Sequence, residues 1–138
     1  MAPPTPLSIA TQSVNRLVKE EAYYHKEQAS QEARIAKLKQ ELETTDPADL
    51  DSNAEYMLKQ EQTALEETKN VFAPLMRRIG EAVVNLEVRI AIAESEGNAS
   101  EEELKKAKEA FEIGQKKYDE AKKQREAAAA EDGDEEEI

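Results

Sequence analysis

The chain contains no cysteine, which removes disulfides, thiolate metal sites and cysteine nucleophiles together. Glycine is scarce at four residues, and none stands in a G-x-x-x-x-G-K-[ST] or G-x-G-x-x-G run, so no phosphate cradle is available. Tryptophan is absent and aromatic residues make up 4%. With 36% charged residues and a mean hydropathy of −0.83, little bulky material is left for a thick globular core. No apolar run has the length of a bilayer. The first ten residues hold prolines at 3, 4 and 6 and no basic or apolar leader, so neither a secretory signal nor a transit peptide is expected. A cytoplasmic protein fits these absences.

Charge is plentiful but one-sided. The formal net charge of −12 argues against nucleic acid, since a phosphate backbone selects a dense basic face. Residues 131–138 carry six acidic and no basic side chains, and such a block is expected to be a disordered tail over 130–138. Residues 1–8, rich in proline, are expected to be a disordered start.

Between these ends, turn residues mark off three helices, about 9–44, 47–95 and 101–129, with no strand-like alternation. Asp46 followed by Pro47 reads as a helix start, Gly97 as a helix stop and Ser100 with Glu103 as a capping box. Heptads run through each segment. Helix one places Val14, Leu17, Tyr24, Ile35, Leu38 and Leu42 on its seam, with the polar Glu21, Gln28 and Gln31 between them. Helix two has an unbroken apolar column, Leu58, Leu65, Phe72, Ile79, Leu86 and Ala93. It is flanked by Met57, Ala64 and Val71 before Pro74 and by Met76, Val83 and Ile90 after it. Helix three has a shorter seam of Leu104, Ala107, Phe111, Gly114, Tyr118 and Ala121. Short connections make consecutive helices antiparallel, so the expected fold is all-α: an elongated, coiled-coil-like antiparallel three-helix bundle. A proline inside a helix removes one backbone bond, and a kink in helix two is expected near Pro74.

At ~1.5 Å per residue, helix three is too short to cover the whole hairpin of the other two. That leaves Ile35, Leu38 and Leu58 in a two-helix region, where an apolar seam is a candidate partner surface.

Catalysis finds no candidates. The single histidine, His25, has no second imidazole at helix spacing and reads as a solvated side chain. The many glutamate pairs read as helix-surface ion pairs, with no pocket to perturb them. The chain is therefore read as a non-enzyme without cofactor or metal that works by binding another protein. Arg77 and Arg78 stand out against the net charge, while the lysines of helix three suit a solvated ion-pair face and the helix dipole.

Two runs carry a family resemblance: Arg16, Leu17, Val18, Lys19 and Glu20 followed by Tyr24, Lys26 and Glu27, and Glu67, Thr68, Pro74, Arg77, Arg78, Glu81, Ala82 and Leu86. Together, over residues 13 to about 122, they resemble the tubulin-specific chaperone A (tubulin-folding cofactor A) family. The departures are the proline-rich start, the longer turn from Thr44 to Leu50 and the acidic end. The resemblance implies a three-helix bundle that binds β-tubulin between the cytosolic chaperonin and later tubulin cofactors, without nucleotide hydrolysis and in association with the cytoskeleton. Tubulin is acidic, so contact with an acidic chaperone needs desolvated apolar residues or focused basic ones. Arg16, Lys19, Tyr24, Lys26, Arg77, Arg78, Ile35, Leu38 and Leu58 are the partner-binding candidates. The rival reading is a structural coiled-coil spacer or oligomerisation module. Monomer and homodimer both remain open.

Overall fold

The computed structural model describes residues 3–50 and 53–136, in which three helices follow one another: α1 (Pro6–Thr44), α2 (Ala54–Glu96) and α3 (Glu101–Glu136). No strand occurs among the described residues. The chain is all-α and its helices pack as a three-helix bundle.

The helix ends show which local signals won. Thr5 accepts from the Ser8 amide at 3.0 Å through its hydroxyl, and Pro6 occupies the first helical position, where a missing N–H costs nothing. α1 therefore starts at Pro6, so residues 6–8 of the expected disordered start are helical, while 3–5 are not and 1–2 lie outside the described residues. Asp46 does cap a turn, accepting from Ala48 at 3.0 Å on Oδ1 and from the Asp49 amide at 2.8 Å on its carbonyl. That turn does not propagate, and α2 begins at Ala54 rather than 47. The intervening Asp51, Ser52 and Asn53 are types that favour caps and turns over helix interiors. Gly97, at φ 66°, terminates α2 in the left-handed region with its amide on the Ala93 carbonyl at 2.9 Å. Ser100 Oγ accepts from the Glu103 amide at 3.1 Å, whereas the Glu103 carboxylate meets the Thr5 hydroxyl instead of closing a box. α3 continues to Glu136 instead of ending near 129, carried on by the four alanines 127–130, the best helix formers. The last two residues of the expected tail lie outside the described residues.

Two compact units divide the chain: Met1–Lys19 with Leu75–Ile138, and Glu20–Pro74. Pro74 lies inside α2, which is a single helix through it.

The first unit is a three-helix layer. Leu7, Ala10, Val14 and Leu17 of α1, Leu75, Ile79, Leu86 and Ala93 of α2, and Ala107 and Ala110 of α3 are all buried, so the heptad positions do face inward. Met76 and Val83 are buried as well, which is the widened stripe expected after Pro74. α3 is what covers that side. Gly114 lets it approach until a Cβ there would stand 2.7 Å from Val83 Cγ2 and 2.8 Å from Val14 Cγ1. Lys108 of α3 meets Glu94 of α2 at 3.1 Å near the ends joined by the turn, as antiparallel neighbours must. Val14, Ile79 and Leu86 are the largest fully buried side chains, each worth about 1.5–3 kcal/mol of burial.

The second unit is a helical hairpin made of α1 and α2 segments alone. Tyr24 meets Phe72 edge-on at 6.5 Å between ring centroids; ten residues further along α1, Arg34 Nε meets Glu61 at 3.2 Å, eleven residues back along α2. This register identifies an antiparallel pair. Among its described residues the buried positions are Glu21, Gln31, Ile35, Ala54 and Thr68, three of the five polar or charged.

Candidate partner-binding surfaces

The sequence-derived candidates are divided between the two units. Arg16, Lys19, Arg77 and Arg78 fall in the first unit, and Tyr24, Lys26, Ile35, Leu38 and Leu58 in the second.

In the second unit the apolar candidates are less accessible than expected. Ile35 is only 8% exposed, and Leu38, Leu58 and Tyr24 are half-buried. The reason is geometric: in an antiparallel helix pair the seam residues of each helix cover those of the other, so the absence of a third helix uncovers the flanks rather than the seam. The flanks do carry exposed rings and thioether, at Tyr23, Tyr56 and Met57. Lys26 is exposed.

His25 is exposed, as expected of a solvated side chain, and it also makes two contacts within the hairpin. Its ring stacks on Phe72, with centroids 4.5 Å apart and planes at 29°, and its Nε2 meets the carboxylate of the buried Glu21 one turn earlier. The helix spacing i, i+4 between Glu21 and His25 was the signal available in the sequence for that contact.

In the first unit, Arg16, Lys19, Arg77 and Arg78 are all exposed, and none forms a salt bridge among the described residues. By contrast Arg34, in the other unit, holds both Glu27 at 3.6 Å and Glu61 at 3.2 Å. Arg77 borders a groove of about 470 Å³ between α2 and α3, whose floor is Gly80 and Val83 and whose far wall is Tyr118. Gly80 shapes that floor, because a Cβ there would stand 2.7 Å from the Tyr118 ring.

The sequence reading passed over a feature on the same helix. Val84, Val88 and Ile92 are 61%, 50% and 40% exposed and recur every four residues, so they form one ridge on the side of α2 turned away from Ile79 and Leu86. Attention to the inward column hid this second periodicity. Among the described residues, no group of three or more His, Asp or Glu is placed to hold a metal ion, and no helix is long and apolar enough to cross a membrane.

What these features define is a helical bundle that presents helix faces and shallow grooves to its surroundings. The chain belongs to the Tubulin binding cofactor A family, whose profile matches residues 2–111. It is also 38% identical over 84 residues to the Tubulin-specific chaperone A of Saccharomyces cerevisiae, an alignment covering 61% of this chain and 71% of the yeast protein. No solved structure gives a significant match.

Proposed function

We propose that this protein is a tubulin-folding chaperone: it binds β-tubulin, holds folding intermediates after their release from the cytosolic chaperonin and passes them to other tubulin cofactors without hydrolysing nucleotide. It would act in the cytoplasm, in association with the cytoskeleton. The observation that carries this reading is the family match, which spans both units of the chain. The name of the yeast relative supports it, as do the unpaired arginines at 77 and 78, which suit an acidic partner.

The test is to dilute denatured β-tubulin into the purified protein without nucleotide and to follow light scattering and co-elution on gel filtration. A soluble complex with suppressed aggregation is expected. Aggregation at the rate of buffer alone, or a complex that forms only with added nucleotide, would overturn the proposal.

Arg77 and Arg78 are proposed to serve that complex more than the fold. The double change Arg77→Ala and Arg78→Ala should leave the thermal midpoint nearly unaltered, because both side chains are exposed and without ion pairs. Binding should weaken by about 2–5 kcal/mol if their guanidiniums become desolvated against carboxylates.

A further inference from the structure

α2 turns its outward face in the first unit into a ridge roughly 12 Å long, counted at ~1.5 Å per residue from Val84 to Ile92. Isolated exposed apolar residues are ordinary on a protein surface, but three in consecutive helical turns form a contiguous strip. Val84 and Val88 stay at least half exposed in their own unit, and Ile92, at the end of the strip, is covered only in part where it lines a pocket with Pro6 and Leu7. The core of that unit is already closed by Ile79, Val83 and Leu86 on the opposite side of the same helix, so the ridge is surplus to folding.

Its electrostatic setting is unusual for this chain. From Arg77 to Ile92 the helix carries Arg77, Arg78 and Arg89 against Glu81 and Glu87, a balance of +1 where the whole chain stands at −12. All five are exposed and none enters a salt bridge among the described residues. At one end the ridge opens into the Arg77 groove, which Val84 also lines. An apolar centre with free guanidiniums at its margins is the layout of a protein interface, in which buried apolar anchors supply affinity and bordering charges select the partner.

We propose that the Val84, Val88 and Ile92 ridge is the apolar centre of the tubulin-binding surface, where it receives an apolar segment of tubulin bordered by carboxylates, with Arg77 and Arg89 at its edge. The inference rests on the tubulin-binding reading above. A second copy of this chain is the weaker occupant, since two molecules of charge −12 repel and offer the arginines no uncommitted acidic strip on this face. An acidic partner is repelled at long range too. Within a Debye length of about 8–10 Å, however, the arginines meet its carboxylates directly.

The experiment measures affinity of the full chain for β-tubulin diluted from denaturant, by a solution titration without nucleotide. The variant is Val84→Ser, Val88→Ser and Ile92→Ser together, chosen because serine matches valine and isoleucine in helix propensity. Ile9→Ser with Ile113→Ser, two exposed apolar positions elsewhere in the same unit, is the control. The expected result is an affinity loss of tenfold or more for the triple variant, less than twofold for the control, and an unchanged thermal midpoint for both. Arg89→Glu should weaken binding at low salt and lose its effect at high salt. A triple variant that binds as the wild type, or a control that loses as much, overturns this surface while leaving the chaperone reading intact. Failure of the wild type to bind tubulin overturns that reading and this inference together. Sedimentation completes the test: a wild-type dimer that the triple variant dissociates would make the ridge a self-interface and overturn the proposal.

Discussion

The two units use the same heptad grammar and spend it differently. In the first, Val14, Ile79 and Leu86 are fully buried, and alanines and a glycine on α3 let the third helix close over them. In the second, the heptad of α1 and α2 holds Glu21, Gln31 and Thr68 at buried positions, with half-buried Gln28 and Glu61 also present. Apolar burial is worth about 25 cal/mol per Å², whereas a buried polar group merely recovers what its desolvation cost. Periodicity alone therefore does not set stability; occupancy of the seam and the number of helices covering it do. The second unit replaces apolar content with specific pairings, the Arg34 ion pairs and the stacking of His25 on Phe72.

The comparison is most easily broken by matched truncations. Leu86→Ala, at a position 0% exposed, should cost about 2–5 kcal/mol. Leu65→Ala, half-buried in the hairpin, should cost about 1 kcal/mol. Urea denaturation measures both, and equal losses would mean that the hairpin is packed as tightly as the three-helix layer. Native-state hydrogen exchange should agree, with amides of 20–74 opening at lower free energy than those around Ile79 and Leu86.

Much of this architecture was legible because a heptad is a one-dimensional signal. The inward column from Leu58 to Ala93, the stop at Gly97 and the cap at Ser100 all depend on residues close in sequence. Helix starts at Pro6 and Ala54 were misjudged where two local signals competed, prolines as breakers against proline at the first helical position, and an Asp cap against the turn-forming residues after it. The binding candidates were harder to place. Whether Ile35 or Val88 is accessible depends on what lies across from it in space, and a single helix's pattern does not carry that information. The ridge of Val84, Val88 and Ile92 was present as a four-residue period, yet only the fold shows that it stays exposed.

A finer test of the three-helix layer uses its two close approaches. Gly114→Ala would drive a Cβ against Val83 and Val14, both buried and β-branched, so neither side chain has a free rotamer to yield. Overpacking costs about 1–3 kcal/mol, and two contacts under 3 Å place this site at the upper end; with roughly 1 kcal/mol of helix propensity offsetting it, the net loss is about 2 kcal/mol. Gly80→Ala meets only the half-buried Tyr118 ring at the groove wall, which has room to swing outward. It should stay within about 0.5 kcal/mol of neutral, because the propensity gain offsets a smaller clash. Thermal unfolding of the pair measures the difference, and a Gly114→Ala protein as stable as the wild type would show that α3 is not tightly seated.

The hairpin offers the most pointed change, because one buried amide there makes poor use of its position. Gln31 is 5% exposed; its Nε2 reaches Glu27 only at 3.4 Å, and among the described residues no donor reaches its Oε1. Leucine has nearly the same length, suits the helix equally well and would occupy a seam position that Ile35 continues one turn later. Gln31→Leu therefore exchanges a long hydrogen bond and a desolvated carbonyl for apolar contact, a gain of about 1 kcal/mol. Glu27 keeps its contact with Arg34 at 3.6 Å, so no carboxylate is stranded by the change. Hydrogen exchange should slow across 20–74 and stay unchanged around Ile79 and Leu86. A lower midpoint instead would show that the Gln31 amide specifies the register of the pair, and that the polar seam is a structural requirement of the hairpin rather than a weakness in it.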